Sequence, residues 1–390
     1  MKLSNRIRSI TGDGSDGWDI LYRSRKMIKS GTPVVELTIG EHDARTDQRI
    51  IDIMYESARA GNTGYAAVPG QYKLRSTIAA RVQSQTGVST TADNVIITTG
   101  GQAALFAAHL ALLDEGDTGL FIDPYYATYP GGIRSIGSKA IPVPTNAENN
   151  FQPQRADLEP LAKQAKSLLI NSPNNPTGVV YTKKTLKMIC DVCLKNDVIL
   201  VSDEVYDTQI WEGEHISPRS LKGMADNCFV IGSMSKSHAM TGWRIGWIIG
   251  PKDAIGQILN LSTVNTYGVP GFIQDAATFA LTQGSKLETE VANVFRTRLQ
   301  LAQDILTGEQ NIRLIPAQGA MYLMLDIRAT GLSGDAFASQ LLEAEHIAVM
   351  PGESFGESAA GHIRVAMTIP NEDFTRALKR LIAFAKTKIG

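Results

Sequence analysis

The stretch Ser233-Met-Ser235-Lys236-Ser-His-Ala-Met-Thr-Gly242-Trp-Arg244 sets a lysine between serines, with an arginine two turns further on. A free lysine amine is protonated at neutral pH, and a neighbouring cation or a dry pocket is what frees such an amine to attack a carbonyl. Arg244 can supply the cation, and its planar fork suits a phosphate dianion better than an ammonium would. The hydroxyls of Ser233 and Ser235 offer further donors to the same phosphate. A reactive carbonyl and a phosphate on one ligand describe pyridoxal 5'-phosphate.

Other polar residues fall where apolar runs stop. Asp203 follows the run Val198–Val201, where a carboxylate is costly unless it meets a positive group. A protonated pyridine nitrogen is such a partner, and pairing keeps the ring an electron sink. Tyr206 and Asn175, the latter in Asn-Pro-Thr-Gly, can reach the ring's phenolic oxygen. Gly100 and Gly101 open a helix, offering backbone donors and the positive dipole end to the phosphate. Tyr126 can stack on the ring. Each has a plainer reading alone: a helix-capping aspartate, a turn, a glycine bend. Their recurrence at successive strand ends, together with the lysine loop, is what the plainer readings leave unexplained.

The elements that must position these residues follow a steady rhythm. Val95–Thr99, Gly119–Asp123, Leu168–Ile170, Val198–Val201, Phe229–Ile231 and Ile245–Gly250 are short apolar runs, most ending in a polar or glycine-rich turn. With helices between them they predict an α/β fold: a mainly parallel sheet covered by helices on both faces, binding ligand outside its carboxyl ends. Helices are expected from about Trp18 to Ser30, Arg49 to Arg59, Tyr72 to Thr86 and Ala103 to Leu113. After about Ser285 the pattern becomes a smaller α+β unit. The division expected is an arm and small-domain segment at 1–45, a large cofactor-binding domain at 46–284 and a small C-terminal domain at 285–390. Gly12-Asp-Gly14-Ser-Asp-Gly17 matches a dinucleotide-binding spacing by letter, but no apolar strand precedes it, so a flexible arm is expected.

Composition narrows the function class. The 390 residues are 43% apolar and 20% charged, with net charge −1, which gives no basic field for nucleic acid or an anionic membrane. Neither a signal peptide nor an apolar run long enough to span a bilayer is read, so a cytoplasmic protein is expected. Three cysteines argue against a disulfide framework, and Cys190 and Cys193 fall with Leu186 and Ile189 on one helical stripe, which favours core packing. The six histidines show no metal-ligand spacing, so no metal site is expected.

On these residues the chain resembles the class I/II aminotransferases of the fold-type I pyridoxal-phosphate enzymes, over nearly its whole length and in an aspartate aminotransferase-like form. The Ser-x-Ser-Lys-x6-Gly-x-Arg stretch carries the likeness. The resemblance implies that Lys236 forms the Schiff base and shuttles protons, and that Asp203 partners the pyridine nitrogen. It sets Asn175 and Tyr206 on the phenolic oxygen, Gly101, Gln102, Ser233 and Arg244 around the phosphate, and Tyr126 at the stacking position. Tyr65 resembles the tyrosine that reaches a neighbouring subunit's phosphate, which implies a homodimer with shared sites. Arg364, in His-Ile-Arg-Val-Ala, matches the clamp for a substrate α-carboxylate, with Gly40 and Asn175 beside it. Gln102 stands where the aspartate-using subgroup often has a lysine for the distal carboxylate. The implied reaction is ping-pong transfer of an amino group from aspartate, or from an aromatic or neutral L-amino acid, to a 2-oxo acid such as 2-oxoglutarate. A C–S β-lyase of cystathionine type is the alternative, and a regulatory effector-binding domain a more distant one.

Overall fold

Alternate residues of the central strands enter two different cores. Ile97, Leu120, Ile122, Leu168, Ile170, Leu200, Val230 and Ile249 pack on one side. Ile96, Phe121, Leu169, Val201, Phe229, Ile231 and Ile248 pack on the other. A strand buried on both faces reads as a continuous apolar run because each side chain, up or down, meets a helix.

The computed structural model describes residues 1, 3–12 and 17–389; the middle of the Gly12–Gly17 stretch lies outside them. Twelve strands are present among the described residues: β1 Val35–Leu37, β2 Val95–Thr98, β3 Thr118–Ile122, β4 Lys139–Val143, β5 Ser167–Asn171, β6 Ile199–Asp203, β7 Cys228–Ser233, β8 Gly246–Ile249, β9 Arg313–Leu314, β10 Tyr322–Asp326, β11 Ile347–Pro351 and β12 His362–Ala366. The large sheet runs β2-β8-β7-β6-β5-β3-β4. Its β4, β3, β5, β6 and β7 are parallel neighbours, and β8 runs antiparallel to both β7 and β2. The second sheet runs β1-β11-β12-β10-β9, so the N-terminal strand joins a sheet otherwise built from the last eighty residues. This is the α/β architecture that the alternating runs predict.

The helix expected from Ala103 starts at Gly101, directly after Gly100 at φ 89°. That backbone favours glycine and brings the helix's first amides to the sheet's carboxyl edge. The Tyr72–Thr86 helix agrees with its expected bounds, ending at Gly87 in the left-handed region. Strand β4 had no counterpart in the sequence reading. It is the last strand of the sheet, pairing only β3, and carries Pro142 opposite Phe121; proline is tolerated at an edge, where one side of the strand needs no donors. The Lys183–Lys195 helix buries Leu186, Ile189, Cys190 and Cys193 together, and burial pushes the Cys190 thiol up to about 12.

Candidate active site

The carboxyl ends of β5, β6 and β7 deliver Asn171, Asp203 and Ser233 to one cavity of about 560 Å³. Its wall also carries Gly40, Gly101, Gln102, Tyr126, Asn175, Tyr206, Ser235, Lys236, Arg244 and Arg364. Residues spread over more than three hundred positions of sequence therefore meet there. Two expected members stand off the wall. Gly100 lies behind Arg244, and a side chain there would overlap the guanidinium. Tyr65 is 89% exposed and stacks edge-on against Tyr267, with ring centroids 5.0 Å apart.

Lys236 sits on the single helical turn Met234–Ser237, entered directly from β7. Its Nζ donates to the Gly40 carbonyl. Below the lysine, Ser233 Oγ bonds Ser235 Oγ at 3.0 Å and caps the turn by accepting from the Ser235 amide at 3.1 Å. Arg244 is held at φ 53°, a left-handed backbone that non-glycine residues adopt rarely and mostly at constrained sites. Its Nη1 donates to the Thr241 carbonyl at 2.7 Å. The fork thereby sits over Gly100, at the N-terminus of the twelve-residue Gly101–Leu112 helix. Helix N-terminal amides, two serine hydroxyls and a guanidinium make a donor set for a phosphate.

Asp203 is 5% exposed, and burial pushes its carboxyl up to about 6 even though Tyr129 Oη donates to Oδ2 at 2.6 Å and the Val205 amide to Oδ1 at 3.3 Å. Among the described residues no lysine or arginine pairs with it. A buried carboxylate in this position calls for a positive partner on its open side. Tyr206 is buried, and its hydroxyl meets that of Tyr322 at 3.0 Å. Burial holds the Tyr206 and Tyr129 phenols well above their ordinary range, and the Tyr126 phenol at about 12, so all three are donors at neutral pH.

Arg364, on β12, is the bulkiest fully buried side chain among the described residues. The ring centroids of Tyr322 and Phe355 lie 4.5 Å and 4.4 Å from its Cζ. Nη1 donates to Asn175 Oδ1 at 2.7 Å, Nη2 donates to the Thr38 carbonyl, and Nε has no partner. No carboxylate among the described residues neutralises it. A desolvated guanidinium with an unused donor and two aromatic walls is a receptor for a carboxylate.

Four contributors escaped the sequence reading. Tyr129 lies 74 residues before Asp203 and was silent in its Ala-Thr-Tyr-Pro context. Tyr322 comes from the other sheet, and Trp18 from the N-cap of the Asp19–Lys29 helix. Asn171 bonds the Asp203 carbonyl and the Asn175 amide, at 2.9 Å and 2.8 Å, fastening two strand ends together. Of these only Asn171, a polar residue closing an apolar run, left a signal that the strand-end argument could have used.

The profile of aminotransferases of class I and II matches residues 32–381. The chain belongs to this family. The class I/II aminotransferases depend on pyridoxal 5'-phosphate, and the donor set around Asp203, Lys236 and the Gly101 helix start fits that cofactor. Arginine–pyruvate transaminase from Pseudomonas aeruginosa is 37% identical over the whole of both chains. The aspartate/prephenate aminotransferase from Thermus thermophilus is 33% identical over 97% of each. The structure of Thermus thermophilus aspartate aminotransferase with maleate superposes with a TM-score of 0.92 at 31% identity, covering 99% of both chains. The chain is thus a pyridoxal-phosphate-dependent amino-acid aminotransferase acting between amino and 2-oxo acids. None of these relatives supports the β-lyase alternative. Among the described residues no helix is long and apolar enough to cross a membrane.

Proposed function

We propose that this aminotransferase clamps the α-carboxylate of each substrate on Arg364 and uses Lys236 Nζ as the base at Cα. The observation that carries the reading is the buried, unneutralised Arg364 in the same cavity as Lys236 and Asp203. When bound, pyridoxal phosphate supplies a carbonyl carbon that accepts the amino group and a protonated ring that withdraws electrons. Asp203 holds the ring-nitrogen proton, with Tyr129 fixing the carboxylate. Tyr206 and Asn175 would donate to the phenolic oxygen, and Tyr126 would stack on the ring. Gly101, Gln102, Ser233, Ser235 and Arg244 would hold the phosphate, with Gly100 behind Arg244 leaving room for the guanidinium. Lys236 Nζ would take the Cα proton of the donor, and Gly40 keeps the amine aimed by its carbonyl. The first oxo acid leaves before the second enters, and the same groups then act in reverse. The reading keeps the division at 1–45, 46–284 and 285–390. It places the enzyme in the cytoplasm as a homodimer in which Tyr65 serves the neighbouring subunit's phosphate.

Charge in the cavity bears on the donor. Its described cations are Lys236, Arg244 and Arg364, and each is committed in this scheme. The carboxylate left over is Glu41, touched by the Thr241 hydroxyl at 3.2 Å. Gln102 can hydrogen-bond a distal carboxylate but brings it no charge, and Thr128 Oγ1 already donates to its Oε1 at 3.1 Å. Beyond Trp18 and Gln102 a second cavity of about 1380 Å³ gives a long side chain room. These features favour long neutral, aromatic or cationic donors over aspartate, and the relative named for arginine and pyruvate supports the cationic end of that range. The test is a half-reaction panel of arginine, phenylalanine and aspartate, read as the change in cofactor absorbance, on wild type and on Arg364→Lys. Losing the bidentate fork should weaken all three donors by about 10- to 100-fold in kcat/KM. A variant that weakens one donor and spares the others would overturn the clamp.

A further inference from the structure

The segment Thr38–Thr46 crosses from β1 to the lysine loop and is tied along its length to that loop, to β12 and to the Lys286–Leu306 helix. The Thr38 carbonyl accepts from Arg364, and the Gly40 carbonyl from Lys236 Nζ. Glu41 accepts from Thr241, and Thr46 Oγ1 donates to the Ala239 carbonyl at 2.7 Å while accepting from Trp243 Nε1 at 3.0 Å. Asp43 forms a two-pronged ion pair with Arg298, at 2.9 Å and 2.6 Å, on the long Lys286–Leu306 helix. In the middle stands His42, whose Nε2 lies 3.0 Å from the backbone carbonyl of Lys236.

A carbonyl can only accept, so His42 must present Nε2–H to it, leaving Nδ1 as the bare nitrogen; Nδ1 is buried and has no partner. Burial, and after it the charge of Lys236, pushes the imidazole down to about 3, so the ring is neutral and adds no second cation beside the reacting amine. The ring is fixed edge-on against Phe295, with centroids 5.2 Å apart. Gln209 Nε2 donates to the same carbonyl at 3.1 Å, so both lone pairs of the Lys236 oxygen are filled from two separate segments. In this one-turn helix the His238 amide serves the Met234 carbonyl at 3.2 Å, whereas the Lys236 carbonyl takes its donors from these two side chains. We propose that His42 is a positioning residue: by holding the Lys236 carbonyl, it fixes the root of the reacting side chain relative to the segment that also carries the Arg364 contact, and so sets the reach of Nζ between cofactor and substrate Cα.

The proposal rests on Lys236 being the reacting amine, and the two can fail separately. Transamination that survives Lys236→Ala would end that assignment. The His42 proposal is read instead in a pair of polar variants. His42→Gln places an amide nitrogen where Nε2 stands, whereas the amide of His42→Asn stops one methylene short of the carbonyl. Loaded wild-type and variant enzymes are titrated with pH while the visible absorbance of the bound cofactor is followed, because a shifted lysine root changes how its nitrogen holds a proton. Cofactor content and thermal midpoint are measured alongside, and then kcat and KM. The expected result is that His42→Gln keeps the absorbance midpoint and kcat close to wild type. His42→Asn should move the midpoint and lower kcat by about 10- to 100-fold, the cost of a misplaced reacting group, with donor KM little changed. Equal behaviour of the two variants, whether both normal or both impaired alike, would overturn the proposal. So would an Asn loss that appears in KM or thermal midpoint alone.

Discussion

Asp203 shows how one side chain can oppose folding and serve chemistry. Burial holds its carboxyl up at about 6 against an ordinary 3.8. A carboxyl raised in this way binds its proton more tightly in the folded chain than in the unfolded one. It therefore adds stability that is fully present below about pH 4 and is lost as pH rises through about 6. A shift of this size is worth up to about 3 kcal/mol. In enzyme stripped of cofactor, Asp203→Asn should accordingly raise the thermal midpoint near pH 8, and raise it by about half as much near pH 5. In loaded enzyme the sign reverses, because the carboxylate meets a protonated ring and an amide cannot replace that pairing. Calorimetry of both proteins, stripped and loaded, at the two pH values checks the crossing. If the variant destabilised stripped and loaded forms equally at pH 8, Asp203 would be a structural acid with no ring-nitrogen role.

Strands and helices meet at the phosphate end through glycines that leave no room for a side chain. A Cβ on Gly246 of β8 would come 2.7 Å from the Gly100 carbonyl carbon, 2.8 Å from the Gly101 nitrogen and 2.8 Å from the Gly232 oxygen, all of them backbone. Backbone yields less easily than a side-chain tip, so Gly246→Ala should push the Gly101–Leu112 helix start away from the sheet edge. Overpacking of this kind costs about 1–3 kcal/mol. Taken up at the phosphate site, that weakens cofactor binding by about 5- to 150-fold. Equilibrium binding of pyridoxal phosphate measures it, and unchanged affinity would mean that the helix start does not hold the phosphate. This element also shows what the sequence can reveal. The apolar runs of β2, β3, β5, β6, β7 and β8 were legible because burial on both faces keeps the middle of each strand apolar, and their ends pointed to Asp203, Asn175 and the lysine loop. Strand β4 was hidden, since an edge strand tolerates Lys139 and Pro142. Tyr129 and Tyr322 were hidden for another reason: their roles exist only through partners 74 and 116 residues away, and no local pattern records such pairing.

At the scale of the whole molecule the telling residue is Tyr65. It lies in a glycine-rich turn after the Gln48–Arg59 helix, 89% exposed and leaning on Tyr267, itself 50% exposed. An exposed aromatic pair away from the chain's own cavity suits a surface that a second subunit covers, because aromatic rings are enriched where interfaces close. In a two-fold dimer each contact is made twice, so a tyrosine reaching across in one direction reaches across in the other. Mixing two defective subunits then gives an unequal outcome. Lys236→Ala abolishes the site to which it contributes lysine, and Tyr65→Phe weakens the site to which it contributes tyrosine. In a mixed dimer with shared sites, both lesions fall in one site and the other is intact. Random reassortment makes half the dimers mixed, so about a quarter of all sites should regain wild-type turnover, above what either parent shows alone. Affinity tags that differ between the two subunits allow the mixed dimer to be isolated and its activity read per dimer, expected at half the wild-type value. Mixed dimers no more active than the average of their parents would show that Tyr65 serves its own subunit or none, and the shared-site arrangement would fall.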